Sequence, residues 1–178
     1  GQRRYGGEVL MRLMVIRFCR VAGLSLDDVA VVVADETPER EATRQIACEI
    51  RRPVIAALAR CRRADIDEAA RALKPAARPR IHTFLATSDL HLENKLRITR
   101  EACLEQVVEG VTLARQHTDD VEFSAEDATR SDREFLSRVV EAAIAHGATT
   151  INLPDTVGYA TPEDLREFFE ELRRRVPN

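Results

Sequence analysis

The sequence lacks the features that mark several large classes of protein. It contains no Trp and only 4% aromatic residues, which argues against a stacking surface for single-stranded nucleic acid. Its net charge is −3 and its Lys and Arg residues are spread along helical segments, so we expect no nucleic-acid partner. No G-x-G-x-x-G or G-x-x-x-x-G-K-[ST] motif follows a β-prone run, so the common nucleotide-binding fingerprints are missing.

Long apolar runs and cysteine motifs are also absent. The segment VLMRLMVIRFCRVAGL (9–24) is interrupted by arginines and lacks both the ~18 uninterrupted apolar residues of a membrane span and a signal-peptidase site. We therefore expect no membrane association and a cytoplasmic location. No C-x-x-C pair occurs, so we interpret the cysteines as small buried apolar residues in a reducing compartment. They are Cys19, Cys48, Cys61 and Cys103.

The sequence does contain a regular alternation of short β-prone runs and amphipathic helical segments. The predicted strands are 27–34, 53–59, 80–88, 120–124 and 149–155. The first three predicted helices are 37–52, 64–73 and 100–117. A fourth helix is predicted to start at a capping box formed by Ser131 and Glu134 and to end at Gly147. A fifth is predicted to start at Thr161, with Leu165, Phe168, Phe169 and Leu172 on its buried side. This order predicts an α/β protein with parallel strands and right-handed crossovers.

Two architectures fit this order: a doubly wound open sheet and a (β/α) barrel. Polar residues cluster just after the predicted strands, and β/α barrels build their active sites at that rim, so we favour the barrel. A complete barrel needs about 250 residues and eight strands. We therefore expect a partial (β/α)8 barrel, which is a fragment or closes its sheet by forming a homo-oligomer.

Three contiguous stretches resemble a known enzyme family. They are RPVIAALARCRRADIDEA (52–69), RIHTFLATSDLHLENKLRITRE (80–101) and DDVEFSAEDATRSDREFLSRVVEAAIAHGATTINLPDTVGY (119–159). They resemble the acyl-CoA-condensing family of 2-isopropylmalate, homocitrate and citramalate synthases, and favour the first of these. The resemblance implies condensation of acetyl-CoA with 2-oxoisovalerate in leucine biosynthesis. It also implies that residues 41–178 form roughly strands two to six of the barrel, after a divergent segment 1–40.

The same resemblance implies the site residues. His82 matches a histidine beside the keto acid, and Ser124 and Glu126 match catalytic residues under the substrate. Glu126 is expected to act on a water or on the α-proton of the thioester. The residues implied to line the keto-acid pocket are Asn152, Pro154 and Thr156, with Thr156 holding the carboxylate. We interpret Asp127 as structural, Ser131 as a helix cap only, and His91, His117 and His146 as surface or helix-end residues.

The sequence departs from the family at the divalent metal. The family's Arg-Asp-Gly motif is missing, and its His-x-His pair would fall beyond Asn178, so this chain has no matching metal ligand. Because the metal takes up charge on the ketone oxygen, we expect weak or no activity from the chain alone. Two alternatives stay open: a citramalate- or homocitrate-type synthase, and a non-catalytic remnant that acts as an interaction partner of an intact synthase.

Overall fold

The computed structural model describes residue 44, residues 46–49 and residues 51–177. The strand predicted at 27–34, the burial predicted for Cys19 and the divergent segment 1–40 lie outside these residues. The described residues before position 50 are helical, as predicted for 37–52. In the part of the chain that the structure describes, no helix has both the length and the apolar character needed to cross a membrane.

Four parallel strands form the sheet of the described residues, in the order β1-β2-β3-β4. They are β1 Ile55–Arg60, β2 Pro79–Ala86, β3 Val121–Glu126 and β4 Thr150–Asn152. All four lie where strands are predicted, but β4 ends earlier than predicted. Pro154 explains the early end, because a residue without a backbone N–H cannot continue the hydrogen-bonded ladder.

Helices follow each of the four strands, and those between strands cover one face of the sheet. They are α1 Arg63–Leu73, α2 Asp89–His91, α3 Arg100–Arg115, α4 Arg133–Ala145 and α5 Pro162–Arg175. A π-helical turn, Leu92–Leu96, continues α2, and a 3-10 turn, Ala128–Arg130, precedes α4. Since every described strand pair is parallel and joined through helix, the predicted α/β class is confirmed.

The two faces of the sheet differ in environment. In β3, Val121, Phe123 and Ala125 are buried against the helices. Side chains alternate along a strand, so the intervening residues point to the opposite side, which we call the inner face. The inner face comprises Ala56, Leu58 and Arg60 of β1, Arg80, His82, Phe84 and Ala86 of β2, Glu122, Ser124 and Glu126 of β3, and Thr150 and Asn152 of β4.

The helix starts are fixed by side-chain caps. Thr161 and Asp164 form a reciprocal capping box at the start of α5, which confirms the predicted helix start at Thr161. The Ser131 prediction is wrong, because Asp132 caps α4 by accepting a hydrogen bond from the Phe135 N–H at 2.8 Å. Ser131 is engaged elsewhere: its Oγ lies 2.7 Å from Thr87 Oγ1 and donates to the Asp127 carbonyl at 3.0 Å.

Two predictions of burial need correction. Cys48 is exposed, whereas Cys61 and Cys103 are buried as predicted. Burial raises the pKa of Cys61 to about 11 and that of Cys103 to about 12, so both remain unreactive thiols. Phe169 was expected on the buried side of α5 but is 45% exposed, since its helical neighbour Phe168 occupies the inward position. The two rings meet edge to face at 5.2 Å.

α3 crosses the end of β1 at close range through Gly110. A Cβ placed there would lie 2.8 Å from Cys61 Cβ and 3.0 Å from Cys61 Cα, so the contact cannot relax by rotating a side chain. We expect Gly110→Ala to lower the free energy of unfolding by about 1–2 kcal/mol, because overpacking outweighs the gain in helix propensity. Denaturant unfolding measures this. Glu109→Ala, at an exposed position of α3, is the control, and an equal effect there would contradict the prediction.

Candidate active site

A hydrogen-bonded row of three side chains crosses the inner face. Ser124 and Asn152 are register partners on β3 and β4, and Asn152 Nδ2 donates to Ser124 Oγ at 2.7 Å. His82 projects from β2, and its Nε2 lies 2.6 Å from the same Ser124 Oγ. Three of the predicted site residues are therefore in direct contact, because parallel pairing brings alternate residues of neighbouring strands to one face.

Burial controls the charge of His82. Burial lowers the pKa of His82 below the ordinary value for histidine. The Glu122 carboxylate opposes this decrease, because its Oε1 lies 3.7 Å from His82 Nε2, whereas the positive charge of Arg80 lowers the pKa further. The ring is therefore neutral at neutral pH. Since Ser124 Oγ already accepts from Asn152, its own proton is available to Nε2 when His82 carries its proton on Nδ1. This arrangement can orient a substrate oxygen or move a proton.

Glu126 ends β3 on the inner face, two residues beyond Ser124. Lys95, in the π-helical turn, donates from Nζ to both carboxylate oxygens of Glu126, at 2.7 and 3.0 Å. The Lys95 side chain is 51% exposed and that of Glu126 is 23% exposed. Lys95 is not among the site residues predicted from the sequence, although it lies inside the HLENKL stretch that resembles the family.

Pro154 and Thr156 lie in the loop after β4, at the same end of the sheet as Glu126. Thr156 Oγ1 accepts a hydrogen bond from the Asp127 N–H at 2.9 Å, and this ties the loop after β4 to the end of β3. Pro154 is partly buried there. The predicted role of Thr156 in holding a substrate carboxylate stays a prediction, and its hydroxyl has an intramolecular partner in this structure.

A buried carboxylate braces the corner directly after Glu126. Asp127 is fully buried and left-handed, with φ of 66°. Its carboxylate accepts from Ser88 Oγ at 2.5 Å and Arg130 Nε at 2.7 Å, and lies 3.2 Å from His91 Nδ1. Burial opposes ionisation, yet the hydrogen bonds from Arg130 and Ser88 hold the pKa of Asp127 below its ordinary value.

His91 differs from its prediction in one respect. It lies at the end of α2, as expected, but its side chain is only 21% exposed because it turns towards Asp127.

The Thr87 N–H donates to the Glu126 carbonyl at 3.1 Å. The segment after β2 therefore contacts the end of β3 through Thr87, Ser88, His91 and Lys95.

The described residues do not fit a divalent metal. Within residues 51–177, no group of three His, Cys, Asp or Glu side chains is arranged to hold one. Glu126 and Asp127, the two acids at the end of β3, are each paired with a cation.

Comparison with known proteins places the chain in a family. The HMGL-like family model matches residues 17–178. A 2-isopropylmalate synthase from Aquifex aeolicus is 52% identical over 160 residues, which is 89% of this chain and 31% of that protein. One from Xanthomonas campestris pv. campestris (strain B100) is 57% identical over 139 residues, 78% of this chain and 27% of that protein. The chain thus spans about a third of the length of the curated relatives it matches.

A solved structure supports the barrel fold. The crystal structure of hydroxymethylglutaryl-CoA lyase from Pseudomonas aeruginosa matches with a TM-score of 0.67 over 98% of this chain and 60% of that chain, at 21% identity. Together with the family model, this likeness confirms the predicted partial (β/α)8 barrel. The predicted resemblance to 2-isopropylmalate synthases is confirmed as well. Because the family model matches far more than half of its residues, the chain belongs to the HMGL-like family.

Proposed function

We propose that this chain forms the central β/α units of an acyltransferase that condenses acetyl-CoA with 2-oxoisovalerate, as in leucine biosynthesis. The observation that carries the proposal is the row of His82, Ser124 and Asn152 beside Glu126 on the inner face. His82, Ser124 and Asn152 offer neutral hydrogen-bond donors and acceptors, which suit the oxygen atoms of a 2-oxo acid. The neighbouring Glu126 carboxylate suits the weakly acidic thioester, which must lose a proton before it can react.

The reaction needs a base, an orienting surface and a water. A base removes an α-proton from the acetyl thioester, and the resulting carbon nucleophile forms a C–C bond to the ketone carbon of the 2-oxo acid. The ketone oxygen gains a proton, and water then cleaves the thioester to release CoA. Glu126 is the carboxylate placed to accept the α-proton or to activate the water. His82, Ser124 and Asn152 orient the 2-oxo acid.

The reaction also needs a group that stabilises negative charge on the ketone oxygen. Charge grows on the ketone oxygen as the C–C bond forms, and neutral hydroxyl and amide groups stabilise it less than a cation would. Among the described residues, no group of three His, Cys, Asp or Glu side chains is arranged to hold a metal. We propose that another part of the complete barrel supplies this stabilisation. We therefore expect no measurable release of CoA when the purified chain is given acetyl-CoA and 2-oxoisovalerate.

A hybrid enzyme tests the proposal directly. The chain replaces the matching 160 residues of the Aquifex aeolicus 2-isopropylmalate synthase, and CoA release is followed with a thiol reagent. We expect turnover that is faster with 2-oxoisovalerate than with pyruvate or 2-oxoglutarate, with the unaltered Aquifex enzyme as control. Preference for pyruvate would assign the citramalate type, and preference for 2-oxoglutarate the homocitrate type. A folded hybrid without turnover would contradict the proposal.

A second candidate function, an interaction partner of an intact synthase, is favoured by one exposed side chain. Leu58 is 64% exposed in the middle of the inner face of β1. β1 is also an outer strand of the described sheet, and an outer strand can pair with another chain. We expect a tagged chain to co-purify with a full-length synthase from the same genome, and Leu58→Glu to abolish recovery. Leu90→Glu, at a 53% exposed position of α2, should leave recovery unchanged; equal losses would refute this candidate.

A further inference from the structure

The inner face contains an ion pair that the function proposed above does not yet use. We propose that Lys95 is a positioning residue that fixes the Glu126 carboxylate at the end of the inner face; this inference rests on the proposed function. Lys95 Nζ reaches both carboxylate oxygens, at 2.7 and 3.0 Å, so the contact restrains the orientation of the carboxylate as well as its location. A general base gains rate only when its oxygen is directed at the proton it removes.

Unusual backbone conformations occur on both sides of this pair. Lys95 lies in the π-helical turn Leu92–Leu96, and such turns are rare and are often found at functional sites. That turn ends at Arg97, which has a φ of 56°, and Glu126 is followed by Asp127 with a φ of 66°. Among the described residues, these are the two non-glycine residues with positive φ. Strained backbone of this kind clusters at active sites.

The anchoring of both turns separates this contact from an ordinary surface ion pair. The Ile98 N–H donates to the Leu92 carbonyl at 3.1 Å and closes the turn that carries Lys95. On the other side, Thr87 N–H binds the Glu126 carbonyl at 3.1 Å, and the buried Asp127 fixes the next residue. Exposed ion pairs between mobile side chains are worth little, but here the backbone holds both partners in place.

The sequence offers a direct probe of the pair. The chain contains only two lysines, Lys74 and Lys95, so labelling with [15N]lysine gives two side-chain ammonium groups. Lys74 is exposed at the end of α1 and serves as the internal control. In the full 178-residue chain, we expect Glu126→Gln to shift the Lys95 ammonium signal and speed its proton exchange, while the Lys74 signal stays in place. An unchanged Lys95 signal would overturn the inference.

Kinetics of the hybrid synthase test what the pair does. We expect Lys95→Met to lower kcat by about 100-fold, the size of effect that misplacing a catalytic group produces, with an unchanged KM for 2-oxoisovalerate. Lys95→Arg should restore most of the rate, and adding Lys95→Met to Glu126→Gln should cause no further loss, because the two residues act as a unit. Lys74→Met is the control and should leave kcat unchanged.

The two hypotheses fail in different ways. A Lys95→Met hybrid that keeps the kcat of its parent would overturn the role of Lys95 while leaving the proposed function in place. A folded parent hybrid without turnover would contradict the proposed function, and the ammonium signals of the full chain would still decide whether Lys95 restrains Glu126.

Discussion

Glu126→Gln in the hybrid synthase is expected to lower kcat by about 10²- to 10⁴-fold, the range that general acid–base catalysis contributes. Gln matches Glu in size and can still accept a hydrogen bond from Lys95 Nζ, so the end of β3 should keep its conformation. What Gln cannot do is accept a proton from the acetyl thioester or from water. The loss should therefore appear in kcat, with the KM for 2-oxoisovalerate little changed.

The control for this prediction is another Glu→Gln change in the same chain. Glu105 is exposed on α3, on the opposite side of the sheet from the inner face. Glu105→Gln should leave kcat unchanged, and matching melting temperatures for both variants would exclude a folding defect. If Glu126→Gln turned over as fast as its parent, Glu126 could not be the catalytic carboxylate.

Asp127→Asn is expected to lower the free energy of unfolding by about 3–5 kcal/mol, the range observed when one partner of a buried ion pair is removed. Asn keeps the shape of the side chain and is tolerated in left-handed conformation, so the loss reports the carboxylate charge rather than backbone strain at φ of 66°. Asn offers one acceptor oxygen where Asp offers two, so either Ser88 or Arg130 would lose its acceptor, and Ser88 is itself buried.

This loss should depend on pH in a defined direction. The pKa of Asp127 is lower in the folded chain than in the unfolded one, so the folded state binds fewer protons. The stability that Asp127 supplies is therefore fully present above about pH 4 and is lost as pH falls through the folded value. Denaturant unfolding of the unaltered chain and of Asp127→Asn at several pH values should show that the difference between their free energies of unfolding becomes smaller in acid.

Asp132→Asn provides the matched comparison. Asp132 caps α4 with its side chain partly exposed, and Asn caps helices about as well as Asp. We expect a change within about 0.5 kcal/mol at pH 7. A similarly small change for Asp127→Asn, or a difference that persists in acid, would mean that the buried corner does not depend on an ionised Asp127.

The sheet and its direction could be predicted because they follow from local patterns. When β-prone runs alternate with long amphipathic helices, consecutive strands pair in parallel. The positions of the strands follow from the apolar runs in the sequence. The limits of elements were less predictable where tertiary contacts decide them. Ser131 fits the spacing of a cap, yet its hydroxyl is drawn to Thr87, and Asp132 takes its place.

The site could be predicted only in part. Resemblance to a family selected His82, Ser124 and Asn152, but their contact depends on the register of three strands far apart in sequence. The Lys95–Glu126 pair depends on a π-helical turn, which an ideal helical period does not reveal. Asp127 is structural, as predicted, but its burial depends on contacts such as that with Ser88, which lies 39 residues away along the chain.

We propose that one end of the inner face holds the 2-oxo acid. A crystal structure of the hybrid synthase with 2-oxoisovalerate bound tests it most directly. We predict that the ligand contacts the side chains of His82, Ser124 and Asn152, with its ketone group facing the end of β3 that carries Glu126. A ligand bound away from these side chains, or on the helical side of the sheet, would show that the inner face is not the 2-oxo acid site.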